Sequence, residues 1–419
     1  MSSLTPGFFT SVPHKKNINL IKLFLLYFIA CPLVLPAYAK YEGGTGTAND
    51  PYLIYTAEQL NEIGTNQADW NKHFKLMANI NMKDLAGTDF NIIENFTGIF
   101  DGNDCTISNL NISSVLTENI GLFGTVETGE ISNLGLIKPN INAQGRNVGS
   151  LIGFLKHGII TNCYARGVVV SGSNNIGGLI GLNTGRVDLC WSSGNISGVA
   201  YIGGLTGLTD DGTVKQCYSR ANVTGDRNVG SLVGKITDES SEITNCYATG
   251  TVEANQYVGG LVGQVEQGTV YKCYSVGSVS GNQDVGGLTG FVRVLGYVSR
   301  SFWDTQTSGQ QTSAGGTGKT TAQMKKINTF FSEGWDVWGI WTICEEINYP
   351  ALLSLIPAAD LDCPDGVNFI DFAIFAEQWG QDNCNPSNGN CQGADINNSG
   401  TVDFWDFEIF TQHWLEGLD

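Results

Sequence analysis

The sequence predicts a mostly β protein: a parallel β-helix, or β-solenoid, of about 27 residues per rung, followed by a small α-helical module at the carboxyl end. Three observations predict it. A glycine-rich phrase recurs along the middle of the chain, a Cys-aromatic pair follows each main copy, and two similar acidic loops lie near the end. A fixed period of this size indicates a solenoid, in which each repeat buries its apolar face against its neighbours.

Composition and the amino-terminal segment indicate the compartment. The 419 residues contain 54 Gly and 10 Pro, and the formal net charge is −18. With no basic stripe, nucleic acid and anionic membranes are poor partners. We expect residues 1–39 to be a signal peptide, because lysines precede an apolar run that ends in small residues at Ala37 and Ala39. The mature chain is then exported, extracellular or on the cell surface, with no membrane span; lipid anchoring at Cys31 is the less favoured alternative.

Residues 40–118 are expected to form the amino-terminal cap and the first rungs. Thr56 and Gln59 have the spacing of a capping box, which predicts a short helix. Such a helix would cover the open end of the solenoid and block edge pairing by the first rung. Residues 74–82 alternate as one strand does, and residues 96–112 resemble the first full rungs.

Residues 119–310 are expected to form the solenoid itself. The phrase Ile-Gly-Gly-Leu-Ile-Gly begins at 176 and recurs with changes at 202, 229, 258 and 285, after earlier copies at 148 and 120. Short runs rich in Val, Ile, Thr and Tyr predict three strands and three turns per rung. The inward positions are the Ile or Val that opens each phrase, its Leu, and the Val or Ile before each Cys. The glycines are expected at bends or at positive φ.

Five cysteines recur at the same place in successive rungs: Cys163, Cys190, Cys217, Cys246 and Cys273. Ligands one rung apart lie in a line and not around a tetrahedron, which excludes a metal site. Parallel side chains also converge poorly for disulfides. We therefore expect a ladder of small buried thiols, with the aromatic residue beside each Cys on the opposite face of its strand.

The Gly-Gly-Leu-x-Gly phrase followed by Cys-Tyr resembles the GLUG-motif repeat of bacterial surface and secreted proteins. The resemblance covers about residues 119–310. It implies a β-solenoid on an extracellular protein, often an adhesive one. It supplies no catalytic residues.

Residues 311–356 depart from the period and are expected to be a carboxyl-terminal cap and linker. A Gly-rich run before Thr321 lacks the first glycine of a phosphate-binding loop and a preceding apolar strand, so we expect a turn leading into a short helix. Three tryptophans are expected to plug the lower end of the core, with sugar binding by exposed rings as the alternative: Trp335, Trp338 and Trp341.

Residues 357–419 contain two loops with the ligand spacing of calcium sites. In the second loop, Gly400 permits a sharp turn, Val402 points inward, and a helix is expected from 404 to 415. Its ligands would be Asp395, Asn397, Ser399, the carbonyl of Thr401, Asp403 directly or through water, and Asp406.

The first loop lies 35 residues earlier and departs from the pattern, because Pro364 holds the fifth position and Gly366 is shifted by one. Whether the first loop binds calcium stays open. The alternative for both loops is that they are solvated acidic turns without a metal ion. Each loop is followed by a helix with the same Asp-Phe…Phe…Trp spacing, which indicates duplication. The ligands of the first loop would be Asp360, Asp362, Asn368 and Asp371.

Two calcium loops, each followed by one helix, resemble a divergent type I dockerin. The resemblance implies docking onto a cohesin-like module of a scaffold or surface, through the helix faces opposite the Phe and Trp residues. A disulfide between Cys384 and Cys391 is expected from the short turn-forming loop between them. Cys105, Cys344 and Cys363 have no predicted partner.

Two functional hypotheses follow. The first is a non-catalytic secreted or surface solenoid, a spacer or a binding wall for an extracellular glycan or surface protein, tethered through the calcium module. The second is a polysaccharide-active β-helix enzyme, which needs a carboxylate pair or a base with a cation. Acidic residues do recur at one turn, but few bases are expected nearby, and the histidines at 73, 157 and 413 are scattered. We therefore expect a solvated turn and no enzyme. The acidic residues of this turn are Glu127, Asp210, Asp211, Asp238, Glu239 and Glu266.

Overall fold

The computed structural model describes residues 41–85, 90–114, 118–363 and 366–414. The expected signal peptide and Cys31 lie outside the described residues. The predicted fold class is confirmed: the chain is mostly β and forms a parallel β-solenoid whose strands pair in register from one rung to the next. Among the described residues, no helix has the length and apolar content needed to cross a membrane.

Each rung contains more strands than the sequence predicts. The rung over residues 200–224 has five short strands, so the prediction of three was wrong. Non-glycine residues with positive φ bend the chain: Gln216, at 50°, lies at the corner between two strands, and Tyr201, at 57°, bends the strand Ala200–Gly203. L-residues rarely adopt this conformation, and a sequence pattern therefore does not reveal it.

The strands form five stacks that run along the solenoid. The stack that carries the opening Ile or Val of each phrase contains Glu118–Ile120, Arg146–Val148, Asn174–Gly177, Ala200–Gly203, Arg227–Gly230, Gln256–Gly259 and Gln283–Gly286. The stack that follows the phrase contains Ile93–Phe96, Phe123–Val126, Ile152–Leu155, Ile180–Asn183, Thr206–Thr209 and Val233–Ile236. The stack that precedes the Cys contains Tyr52–Ile54, His73–Leu76, Ile99–Asp101, Arg186–Asp188, Thr213–Lys215 and Glu242–Thr244.

The other two stacks complete each rung. The stack after the Cys contains Ile80–Asn81, Thr106–Ser108, Tyr218–Ser219, Tyr247–Ala248, Tyr274–Ser275, Phe302–Asp304 and Thr317–Lys319. The last contains Asn111–Ser114, Asn140–Ala143, Asn222–Thr224, Val252–Glu253 and Val279–Ser280. Longer strands continue through a corner and pair in more than one stack: Glu130–Ile137, Ile159–Ser171, Trp191–Ser197, Val262–Tyr271 and Thr289–Ser299. A separate antiparallel pair joins Trp341–Thr342 to Ala351–Leu352.

The predicted inward positions are confirmed. In one rung, Ile202, Leu205 and Val214 are completely buried in one continuous core. The phrase glycines allow close approach of the backbone to itself: a Cβ on Gly203 would lie 2.0 Å from the carbonyl oxygen of Thr206. Their φ angles are not positive, and the phrase lies at a bend between two strands, so the expected bend holds for these glycines and the expected positive φ does not.

The amino-terminal end carries the predicted helix. Helix α1, Ala57–Thr65, begins at a capping box formed by Thr56 and Gln59, and its buried face joins the solenoid core. The prediction of one strand over residues 74–82 was wrong. The rung turns a corner at residues 77–79, which separates two short strands.

The cysteine ladder is confirmed. All five thiols are free and buried. The thiol of Cys217 donates to the carbonyl oxygen of Lys215 at 3.1 Å. Burial raises the pKa of the Cys217 thiol well above its ordinary value, so this group stays protonated and unreactive.

A thiol titration tests this assignment. For a chain spanning residues 41–419, we expect six reactive thiols after unfolding without reductant: the five ladder thiols and Cys105. In the folded chain only the half-buried Cys105 should react. Reduction before unfolding is the control and should expose four more, from the two disulfides described below. Fewer than six thiols without reductant would show that ladder cysteines are cross-linked.

The aromatic residues beside the ladder cysteines point away from the core, as predicted, and stack on one another. Ring centroids lie 4.6 to 5.4 Å apart, and planes are tilted by 2 to 12°. We call this stack the aromatic ladder: Tyr164, Trp191, Tyr218, Tyr247 and Tyr274.

The tryptophans after the solenoid do not plug the lower end of the core, so that prediction was wrong. Trp335 and Trp341 are buried, but they pack with the last three rings of the aromatic ladder on the side of the solenoid. Trp338 is 70 % exposed. The stacked rings form a large apolar surface, and the segment after the solenoid covers it. A single short helix was expected after the Gly-rich run, but the structure has two, α2 over Thr321–Met324 and α3 over Ile327–Phe331.

The carboxyl-terminal module contains helix α4, Phe369–Gln378, the short helical turn α5, Gly389–Gln392, and helix α6, Phe404–Gln412. Helix α6 thus ends three residues before the predicted limit at 415. Single 3-10 turns complete the described elements: Gln67–Asp69, Met82–Asp84, Leu353–Leu355 and Pro386–Asn388.

Candidate metal centre and the clefts beside it

The first acidic loop brings three of its four predicted ligands together. Carboxylate oxygens of Asp360, Asp362 and Asp371 all lie within 4.8 Å of one another. Asp362 is exposed, whereas Asp371 is fully buried. Burial raises the pKa of Asp371, although amides of Asn368 and Leu361 donate to it and oppose the shift. Three carboxylates at this distance repel one another unless a cation lies among them.

The second loop holds its two end carboxylates by backbone amides. Asp395 accepts from the amides of Ser399 and Gly400, each at 2.9 Å, and is 3 % exposed. Asp406 is completely buried and accepts from the amides of Asn397 at 3.0 Å and Asp403 at 2.9 Å. Both carboxylates are thereby fixed in place by the loop that they close.

The remaining predicted ligands of the second loop lie in the same turn. The side-chain oxygen of Asn397 accepts from the amide of Ser399 at 2.8 Å. The hydroxyl of Ser399 donates to the carbonyl oxygen of Thr401 at 3.1 Å. The side chain of Asp403 caps helix α6 by accepting from the amide of Trp405 at 2.8 Å. The predicted turn and inward residue are confirmed, since Gly400 has a φ of 94° and Val402 is buried.

The two loops share one hydrogen-bonding pattern despite the shifted glycine. In each, the first Asp accepts from the amide of the turn glycine, at 3.0 Å from Gly366 and 2.9 Å from Gly400. The last Asp accepts from the residue that caps the following helix, at 2.8 and 2.9 Å. Both loops offer only oxygen donors, which is the donor set that calcium prefers. The residues present therefore fit calcium.

Helices α4 and α6 pack around an approximate two-fold axis. The equivalent rings of Phe375 and Phe410 meet at 5.1 Å. The contacts on either side of this pair match each other. Phe372 lies 6.3 Å from Trp414, and the equivalent pair, Phe407 and Trp379, lies at 6.2 Å. Phe375 with Phe407 and Phe410 with Phe372 form a second matched pair of contacts, both at 6.0 Å. This packing is what a duplicated loop-helix unit produces.

The outer side of the module exposes apolar residues at equivalent positions of the two copies. Phe369 and Ile370 begin α4 and are 76 % and 56 % exposed, and Phe404 and Trp405 begin α6 and are 63 % and 64 % exposed. A contact surface was expected opposite the Phe and Trp residues, and these first turns were not predicted. The repeated apolar pair directly before each final ligand was the available signal.

Two disulfides hold the module. The predicted Cys384–Cys391 bond is confirmed, with a Cα–Cα distance of 5.1 Å. A second bond joins Cys344 to Cys363, with a Cα–Cα distance of 5.8 Å, and links the segment that covers the aromatic ladder to the first acidic loop. Neither cysteine had a predicted partner, because each lies in a different segment with no repeated spacing to pair them.

The module lies against the solenoid, and two clefts separate them. A small cleft of about 80 Å³ has Asp360 and Gly366 of the first acidic loop on one side and Trp191 and Arg220 on the other. A larger cleft of about 950 Å³ lies between the end of α6 and the solenoid strands near Tyr164. The first acidic loop is therefore part of the surface that meets the aromatic ladder.

Carboxylates of the recurring acidic turn have basic or hydroxyl partners. Glu127 pairs with Lys156 at 2.8 Å, and Glu266 contacts both Lys235 and Arg293. The expectation of few neighbouring bases was wrong at these two positions.

Other carboxylates of this turn accept from hydroxyl groups, Asp210 from Thr237 at 2.8 Å and Asp238 from Ser240 at 2.6 Å. The hydrogen bond from Lys235 lowers the pKa of Glu266, and that from Ser240 lowers the pKa of Asp238, which is the reverse of what a general acid needs.

Comparison with known proteins identifies the repeat. Residues 225–253 and 254–280 match the family described as the GLUG motif. These rungs are GLUG repeats. Each contains a Gly-x-Leu-Val-Gly phrase and one Cys-Tyr pair of the two ladders. The two matched segments cover a small part of the chain, and the neighbouring rungs repeat the same geometry.

Two curated relatives match part of this chain. Halomucin from Haloquadratum walsbyi is 35 % identical over 161 residues, which are 36 % of this chain and 2 % of that protein. A protein of Evansella cellulosilytica named "Putative Gly-rich membrane protein" is 31 % identical over 150 residues, 33 % of this chain and 17 % of that protein. The chain thus spans only a small fraction of the length of either relative. A crystal structure named "putative immunoglobulin A1 protease", from Bacteroides ovatus, has a TM-score of 0.49 and 20 % identity, covering 75 % of this chain and 95 % of that chain.

Proposed function

We propose that this chain is a non-catalytic GLUG solenoid of the cell surface or the secreted fraction, tethered by a calcium-dependent, dockerin-like module. The names of the relatives, a halomucin and a membrane protein, support a surface setting. The paired carboxylates of the acidic turn support a role in binding or spacing over catalysis.

The duplicated acidic loop is the observation that carries the proposal. Buried carboxylates end both loops, and the same backbone amides orient them in each. Calcium would supply positive charge between side chains that otherwise repel one another. The residues that would hold it are Asp395, Asn397, Ser399, Thr401, Asp403 and Asp406 in the second loop, and Asp360, Asp362, Asn368 and Asp371 in the first.

The exposed first turns of α4 and α6 are the proposed contact surface for a cohesin-like module of a scaffold or surface protein. Of the large apolar side chains exposed on the described part of the module, the four most exposed lie on these first turns, two on each copy. Such a concentration of exposed apolar area on a small unit is typical of a binding site. Calcium would act indirectly, by fixing the loops from which both helices begin.

Binding to immobilised cohesin modules, with calcium or with chelator, tests this proposal. The mature chain should bind at least one module in calcium and lose that binding with EDTA. Replacing Phe404 and Trp405 together by Ser should weaken binding by at least about tenfold, because exposed aromatic anchors dominate interfaces.

A matched control uses another exposed aromatic pair on the same chain. Phe331 and Trp338 are 51 % and 70 % exposed, and their rings meet at 5.3 Å. Replacing both by Ser should leave binding unchanged. Equal loss in the two double variants, or equal binding with and without calcium, would contradict the proposed tether.

A further inference from the structure

The last long strand of the solenoid has a partner on one side only. Thr289–Ser299 pairs with Val262–Tyr271 of the preceding rung, and no other strand of the described residues pairs with it. In the segment after the solenoid, the amide of Ala314 donates to the carbonyl oxygen of Thr289 at 3.1 Å, which closes the start of the strand. The rest of this strand is an open edge at the carboxyl end of the solenoid.

One carbonyl group of this edge shows what is missing. In earlier rungs, the carbonyl oxygen at the equivalent position accepts from the amide of the next rung, as Ser241 does from Thr269 at 2.9 Å. Gly296 holds this position in the last rung, and within the part of the chain that the structure describes no further strand pairs there. The main chain of the edge is therefore ready to pair with another strand.

The exposed side chains change from polar to apolar at this edge. Leu295 is 68 % exposed, and Val294, beside it where the strand has one extra residue, is 100 % exposed. Open strand edges usually have charged side chains that prevent pairing, but the one charge here, Arg293, is paired with Glu266 at 2.8 Å. In the five preceding rungs the position of Leu295 is polar, with Gln267, Ser240, Asp211, Thr184 and His157.

The charge of this end permits contact between two copies of the chain. The whole chain has a formal net charge of −18, but residues 262–304 contain three acidic and three basic residues. Two copies that meet here avoid the repulsion that their other surfaces would cause. The opposite end of the same stack is already covered, because the amide of Leu53 donates to the carbonyl oxygen of Gly43 at 3.0 Å. Two carboxyl ends, in contrast, offer identical open edges.

We infer that this edge binds a second copy of the chain and forms a symmetric dimer. The two Thr289–Ser299 strands pair antiparallel across a two-fold axis, and Val294 and Leu295 of both copies leave water. Because this pairing uses both open edges, association stops at two copies. The contact lies at the end of the solenoid and does not depend on the proposed tether, whose exposed residues lie on the module.

Sedimentation velocity of the mature chain in calcium tests the inference. One pair of strands is a small interface, so we expect a monomer to convert to a dimer between about 1 and about 100 μM. Replacing Val294 and Leu295 together by Lys should weaken dimerisation by at least tenfold, because like charges on facing antiparallel strands repel one another. Both side chains are exposed, so the circular dichroism spectrum should match that of the parent.

Two controls separate this edge from other surfaces. Val169 and Val199 are 47 % and 48 % exposed in earlier rungs, and replacing both by Lys adds the same charge. This variant should dimerise as the parent does. The Phe404 and Trp405 double Ser variant should also dimerise normally, which distinguishes this contact from association through the module.

Hydrogen exchange locates the contact in the parent itself. Amides of residues 294–299 should exchange more slowly at the highest concentration than at the lowest, and the Val294 and Leu295 double Lys variant should lose this difference. A dimer without slower exchange at these residues, or equal dimerisation of the two Lys variants, would overturn the inference. A monomer at every concentration would also overturn it and would leave the edge to a strand of a different protein.

Discussion

Replacing Gly203 by Val is expected to unfold the central rungs of the solenoid. A Cβ at this position would lie 2.0 Å from the carbonyl oxygen of Thr206 and 2.7 Å from that of Leu232. Both atoms belong to backbone that pairs with neighbouring rungs, so neither can move without breaking a stack. Overpacking of this kind costs about 3 kcal/mol or more when the backbone must shift.

Thermal unfolding followed by circular dichroism measures the effect. Gly43→Val is the control, because a Cβ there meets only the side chain of Leu53, at 3.5 Å, and φ is not positive. In a solenoid each rung contacts only its neighbours, so limited proteolysis should also cut the Gly203 variant first near residue 203. A melting temperature equal to that of the Gly43 variant would refute the close-approach role of the phrase glycines.

The core of the solenoid could be predicted from the sequence because one constraint determines it. In-register stacking puts equivalent residues of each rung at equivalent places, so a period in the sequence is a period in space. Ile202, Leu205 and Cys217 were therefore assigned to the interior from spacing alone, and all three are buried.

The corners of the rung could not be predicted in the same way. Tyr201 and Gln216 adopt positive φ, which neither residue type favours. The surrounding stack imposes this conformation, because equivalent positions such as Asn228 and Asn245 adopt it too. Asparagine at several of these positions was the available sequence signal for positive φ. Tyr201 and Gln216 interrupt that pattern.

Contacts between segments that lie far apart along the chain also could not be predicted from the sequence. Trp341 packs on Tyr247 and Tyr274 at 6.1 and 5.9 Å, across about 70 to 90 residues of chain. The periodic pattern ends before this segment and contains no information on where it lies. The calcium ligands, in contrast, belong to short continuous loops, and local spacing was enough to propose them.

Removal of calcium is expected to unfold residues 357–414 while the solenoid stays folded. The module buries few apolar side chains, and the buried carboxylates Asp371, Asp395 and Asp406 lie inside it. Without a cation, these charges are desolvated and unbalanced, which is strongly unfavourable. A ligand at 100 times its dissociation constant stabilises the folded form by about 2.7 kcal/mol, which is a large share of what so small a unit can have. The solenoid core contains no residue of the module and should keep its β signal.

Limited proteolysis with and without EDTA measures this, and the disulfides make the position of each cut readable. A cut between Cys344 and Cys363 leaves fragments joined until reduction, whereas a cut between 366 and 383 releases the end of the chain directly. Two variants test the two loops one at a time, Asp406→Ala in the second loop and Asp371→Ala in the first. The second loop matches calcium spacing throughout, so we expect Asp406→Ala to increase cleavage of the module more than Asp371→Ala does, and to come closer to the effect of EDTA. Equal protection of the module with and without EDTA would mean that amide hydrogen bonds alone balance the buried carboxylates, and calcium would then have no structural role.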